Sequence, residues 1–188
     1  MELPIVHYGH PVLRLKGARI ANITPEIEQL IEDMFDTMYK ASGIGLAAQQ
    51  IGQALQLTVI DVRDVTDRPS RLEIAGEPAD VDSIMPLTLI NPEIQPEGEP
   101  ATGPEGCLSF PEIYADITRP EAVTVKALNA KGESVAFKAG GLLSRAIQHE
   151  VDHLNGILFI DRMTAGVKDE IRHHIEDLQE ATKASLKK

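Results

Sequence analysis

The sequence predicts an α+β fold, in which a helix bearing paired histidines packs against antiparallel β-sheets and a further helix closes the chain. Three observations predict it. An amphipathic helix stands near the start, short apolar runs bounded by turn residues fill the middle, and two more helical segments follow. Strands and helices do not alternate, so a parallel βαβ sheet is not expected.

Taken in order, the first helix covers Pro25–Lys40. Thr24 suits the N-cap and Pro25 the first helical position, and Glu26 and Glu28 complement the positive end of the helix dipole. Ile27, Leu30, Ile31, Met34, Phe35 and Met38 recur at helical spacing and make one apolar face. Ser42-Gly43 ends it. Leu57–Asp61 reads as a buried strand. Asp64–Met85 carries eight charges and two prolines with little periodicity, and is expected to be a long exposed inserted loop. Leu87–Ile90 reads as a strand stopped by Asn91-Pro92, and Glu93–Pro104 as loop or broken edge strand. Val123–Leu128 and Ser134–Lys138 flank Asn129–Gly132 as a hairpin. A helix follows over Leu142–Asn155, with Gly156 as its stop. The last helix spans Val167–Leu186, acidic early and basic late (Lys183, Lys187, Lys188), as the macrodipole favours.

Length, composition and charge narrow the function classes. The chain has 188 residues and a formal net charge of −11, which fits a single domain over residues 1–188. Its one cysteine, Cys107, excludes a disulfide framework, CxxC redox chemistry and four-cysteine zinc folds. The acidic balance argues against general nucleic-acid binding. No signal-peptide pattern and no membrane-length apolar run is present, so a soluble cytoplasmic protein is expected, with no membrane partner.

The sharpest chemical signal is His149-Glu150-Val151-Asp152-His153, an HExxH pattern. On a helix, His149 and His153 lie one turn apart on one face, where both imidazoles reach a single metal ion. Glu150 sits on an adjacent angle, suited to a general base acting on water. A third ligand is needed. The pattern HExxHxxGxxH fails, because Phe159 occupies its last position. Two other candidates stand: Glu170 on the following helix, which would make the chain a small HExxH metallopeptidase, and Cys107, whose thiolate suits zinc or ferrous iron. A third segment, Gly43-Ile44-Gly45-Leu46-Ala47-Ala48-Gln49-Gln50, superficially fits a dinucleotide fingerprint. It follows a helix rather than a strand, so that reading is rejected. It suits a loop whose backbone approaches a substrate, with Gln50 supplying amide donors.

The three segments together resemble the peptide deformylase family, whose motifs GxGxAAxQ, EGCLS and HExDH stand here in that order as GIGLAAQQ, EGCLS and HEVDH. The resemblance starts at His10-Pro11-Val12-Leu13-Arg14 and covers most of the chain. It implies a metal-dependent hydrolase that removes the N-formyl group from formyl-methionine at the start of nascent polypeptides, releasing formate. By the same resemblance Cys107, His149 and His153 bind one divalent ion, Fe2+ natively and Zn2+ or Ni2+ in purified protein. Glu150 acts as base and then acid, and Gln50 with the backbone N–H of Leu108 holds the oxygen of the tetrahedral intermediate. Ile44, Gly45, Leu142 and Ala146 are expected to line the pocket for the methionine, with Glu105 and Gly106 of the second motif beside it. Glu105 is expected to pair with Arg119 and brace the Cys107 strand. The inserted loop is expected to be a neutral addition, Tyr114 stands where some members carry a substrate-contacting arginine, and the C-terminal helix resembles one that docks on the ribosome.

Overall fold

The computed structural model describes Met1–Lys188. Helix α1 (Pro25–Lys40) forms as the capping signals dictate: Thr24 Oγ1 accepts the Ile27 N–H at 3.2 Å, and Leu30, Ile31, Met34 and Met38 are buried. Seven strands follow: β1 (Gly45–Ala47), β2 (Leu57–Ile60), β3 (Ser70–Ile74), β4 (Glu77–Ala79), β5 (Leu87–Cys107), β6 (Phe110–Leu128) and β7 (Ser134–Gly140). They form one antiparallel sheet in the order β1-β2-β5-β6-β7-β3-β4, rather than separate sheets. Helix α2 (Gly141–Leu154) lies on it and is buried around most of its circumference. Short α3 (Ala165–Glu170) and α4 (Arg172–Leu186) end the chain.

The inserted loop expected over 64–85 is instead a hairpin that completes the sheet. Ala75 and Gly76 both take positive φ (54° and 80°), the backbone that a two-residue turn needs to match strand twist. Strand β3 pairs with β7 through Leu72 and Ala139, and Leu72 is 3% exposed. Val81, Ile84 and Met85 pack on the same core. Residues 93–104, expected to be loop or broken edge strand, take the second form: they continue β5 with register shifts at Ile90/Glu93 and Glu97/Pro100, and Asn91-Pro92 does not stop the strand. Asn91 sits at a bulge with φ 52°, its carboxamide tied to the Ile20 backbone at 2.8 Å in both directions. Beyond Ile90 only β6 pairs with β5, so this stretch is an edge strand and tolerates Pro92, Pro96, Pro100 and Pro104.

The last helix starts at Ala165, two residues before the expected Val167, and breaks at Ile171. That turn sets Ile171, Ile175 and Leu178 against the cluster of Val12, Phe110, Ile117 and Phe159. The other two clusters fill the two sides of the sheet's centre: α1 against β1 and β2, and α2 against β2, β5, β6 and β7.

Candidate functional site

The hairpin that the sequence hid also starts the histidine-bearing helix. Helix α2 has Gly140 at its N-cap, which offers no side-chain acceptor. Pro69 C=O accepts the Leu142 N–H at 2.9 Å and Ser70 Oγ accepts the Leu143 N–H at 3.0 Å, so two orphan donors of the first turn are satisfied by the first residue of β3 and the one before it. A Cβ on Gly141 (φ 66°) would lie 2.3 Å from the Pro69 oxygen, so glycine is required there.

Two turns along, α2 presents His149, Glu150 and His153, all buried. The tight turn between β5 and β6 brings Cys107 to them. One donor atom from each of Cys107, His149 and His153 lies within 4.8 Å of the others. His153 Nε2 is 3.3 Å from Cys107 Sγ. His149 Nδ1 is 2.8 Å from Glu105 Oε1, which leaves its Nε2 free to face the sulfur. A thiolate and two imidazoles at this spacing fit a tetrahedral ion bound at about 2.0–2.3 Å. The carboxylate behind His149 is the usual support that fixes tautomer and ring orientation. Glu170 is exposed on α3 and is not in this group, so the metallopeptidase alternative has no third ligand.

The support is itself buried and charged. Glu105 and Arg119 are each 4% exposed at the side chain and paired at 2.6 Å, as expected of a brace for the Cys107 strand. Two partners that the sequence did not announce complete it. Arg145 Nη1 reaches Glu105 at 2.9 Å and the Ile117 carbonyl at 2.8 Å, and Arg119 also holds Asp152 at 2.9 Å. Burial pulls the Glu105 carboxyl up, yet hydrogen bonds with His149 and Arg119 outweigh it and hold it well below the usual carboxylate range.

Glu150 stands apart from that network. Its Oε1 is 4.0 Å from His149 Nε2, and its buried Oε2 has no hydrogen-bond partner. Burial, the largest effect, pushes its carboxyl up to about 7. Burial likewise lowers His153, favouring the neutral imidazole that a metal requires. For His149 burial acts downward too, but hydrogen bonds with Cys107 and Glu105 prevail and raise it.

Beside these groups opens a cavity of about 460 Å³, whose lining includes Ile44, Gly45, Leu142, Ala146, His149 and Glu150. Gly45 admits Glu150, since a Cβ there would lie 2.8 Å from Oε1. Gln50 and Leu108 line it as well. Gln50 Oε1 accepts the Ala47 N–H at 2.9 Å, which turns its NH2 toward Ser109 Oγ (3.2 Å) and Cys107 Sγ (3.5 Å). Ser109 is thus a third unannounced partner. Glu105 and Gly106 form part of the wall, and the exposed Tyr114 ring packs on Gly106 at the rim.

A family model for polypeptide deformylase matches residues 2–169. The chain belongs to the polypeptide deformylase family. Peptide deformylase from Opitutus terrae is 46% identical over 189 residues, covering 100% of this chain and 98% of that one. Among solved structures, peptide deformylase 1B of Arabidopsis thaliana in complex with an inhibitor superposes with a TM-score of 0.82 at 39% identity, covering 98% of this chain and 93% of that chain. A peptide deformylase from Synechococcus elongatus in complex with actinonin gives 0.76 at 38% identity, covering 96% and 86%. Peptide deformylases are metal-dependent hydrolases that remove the N-formyl group from nascent chains, and this chain is one of them. No helix is long and apolar enough to cross a membrane.

Proposed function

We propose that Cys107, His149 and His153 hold one divalent ion, Fe2+ in the cell, and that Glu150, Gln50 and the Leu108 N–H carry out deformylation of formyl-methionyl peptides in the cytoplasm. The convergence of one sulfur and two imidazoles beside a carboxyl with an unpartnered buried oxygen carries this reading. Bound there, the ion would supply Lewis acidity and bring the pKa of an attacking water toward neutrality.

Glu150 takes the proton of that water and later delivers it to the nitrogen released with the methionine, so that formate leaves. A carboxyl raised toward neutrality by burial is matched to both transfers. The NH2 of Gln50 and the N–H of Leu108 hold the oxygen on which negative charge develops. Because Ala47 and Ser109 fix the Gln50 amide before substrate arrives, little reorganisation is needed. Ile44, Gly45, Leu142 and Ala146 receive the methionine side chain, and the Glu105–Arg119 pair keeps the sulfur and His149 in place. Residues 1–188 act as one domain, and the basic turn Lys183–Lys188 is the surface that meets the ribosome.

The test is purification under anaerobic conditions with added iron, followed by a formate assay on formyl-Met-Ala-Ser and metal analysis. Stoichiometric metal with formate release is expected. A metal-loaded sample that yields no formate would overturn the reading, and a Cys107→Ala variant with full occupancy would overturn the ligand set.

A further inference from the structure

The rim of the cavity carries a cation that nothing in the protein neutralises. Of the nine arginines in the sequence only Arg19 and Arg68 lack a carboxylate partner. Arg68 lines the cavity. Its neighbour there, Arg145, is consumed by Glu105 and by the Ile117 and Ala101 carbonyls. Arg68 makes a single hydrogen bond, from Nη2 to the Pro104 carbonyl at 3.1 Å, and its remaining donors have no protein acceptor.

Its placement is nonetheless fixed. The next two residues, Pro69 and Ser70, accept the Leu142 and Leu143 N–H groups at the start of α2, and Ser70 bridges to Gly141. The hairpin therefore carries a guanidinium to the mouth, on the β5 side where Gly106 and the exposed Tyr114 ring also lie. The only other charged side chain on the open rim is Glu112, near the start of β6.

We propose that Arg68 is a specificity-determining residue that favours substrates with a carboxylate side chain shortly downstream of the formyl-methionine. A peptide whose first side chain is buried in the cavity must leave through this mouth, within reach of the free guanidinium donors. The sign of the effect is diagnostic. A net charge of −11 taken alone would favour cationic peptides. That diffuse field is screened over about 8 Å at physiological salt, whereas a carboxylate hydrogen-bonded to Arg68 is screened less. The proposal rests on the cavity being the peptide site of the deformylase reading above.

The experiment measures kcat/KM for C-terminally amidated formyl-Met tetrapeptides with Asp, Asn or Lys at the second, third or fourth position, at low and high salt. At one or more positions the Asp/Lys ratio should exceed about 3 at low salt, the size expected of a partly exposed charge pair, and shrink at high salt. Arg68→Ala should bring that ratio to about 1 or below and Arg68→Glu should invert it, while Arg68→Lys should keep part of it. The ratio is internal to each preparation, so partial misfolding of a variant does not affect it. A low-salt ratio that exceeds about 3 at no position in the wild type, or a preference that survives Arg68→Ala, would overturn the proposal. Formate from none of the peptides would instead overturn the deformylase reading, and this proposal with it.

Discussion

Glu150 has one buried carboxylate oxygen without a partner and the other beside His149. A metal ion nearby favours its ionised form, so the acid limb of kcat/KM in the loaded enzyme should fall below the value of about 7 to which burial, the largest effect, raises the carboxyl among its protein neighbours. Glu150→Gln should retain metal yet lose at least about 100-fold in turnover, read by formate release against metal content. Gly45→Ala should lose activity by a different route, because the added Cβ would meet the Glu150 carboxyl at 2.8 Å. Glu105 governs stability. Its folded pKa lies below the ordinary 4.5, so the folded state binds fewer protons than the unfolded state in acid. The stability it contributes is present above pH 4.5 and is lost as pH falls toward the folded value. Glu105→Gln should therefore flatten the decline of thermal midpoint with acidification, and an unchanged slope would refute this assignment.

Among the elements, β3 and β4 separate what local pattern reveals from what it hides. Helix α1 was legible because cap, dipole and apolar stripe agree over sixteen residues. The β3–β4 hairpin was not, because Leu72 is the only deeply buried side chain in β3 and the turn is Ala75-Gly76 rather than Asn-Gly or Asp-Gly. Strand β3 forms by pairing with β7, more than sixty residues away, and β4 pairs only with β3. The hairpin's work is also remote, since it supplies the acceptors missing from the Gly140 cap of α2. Ser70→Ala should cost about 1 kcal/mol, the usual loss for a capping hydroxyl, measured by denaturant unfolding. Proline left two readings open over β5, loop or broken edge strand. The pairing with β6 alone selects the edge strand, where the missing N–H groups are without consequence.

On the scale of the whole molecule, three apolar clusters surround one sheet, and the C-terminal helix belongs to the third through Ile175, 7% exposed. Ile175→Ala should destabilise the protein by about 2 kcal/mol or more, visible in thermal midpoint, because a nearly buried side chain leaves a cavity. The charged remainder of α4 faces outward. With −11 overall, any contact with an anionic particle must be local. The proposed ribosome contact through the basic tail predicts that the wild type co-sediments with ribosomes and that replacing Lys183, Lys187 and Lys188 with Glu abolishes this while formate release from a free tripeptide stays intact; a wild type that does not co-sediment would overturn it.

By itself the sequence marked the candidate chemistry: three short motifs, through their resemblance to one family, point to Cys107, His149 and His153 as donors, Glu150 as base and Gln50 as amide, and the first three meet in the structure. The pocket residues Ile44, Gly45, Leu142 and Ala146 were legible for the same reason. Only the tertiary structure decided what surrounds them. Arg145 and Ser109 act on groups named by the motifs, but the pairing of β5 with β6 and the packing of α2 bring them there. The hairpin that starts α2 and carries Arg68 to the rim depends on long-range edge pairing, which leaves little trace in local periodicity. The single cysteine shows the division: its identity made it a candidate ligand, and the turn between β5 and β6 placed it against two histidines on a distant helix.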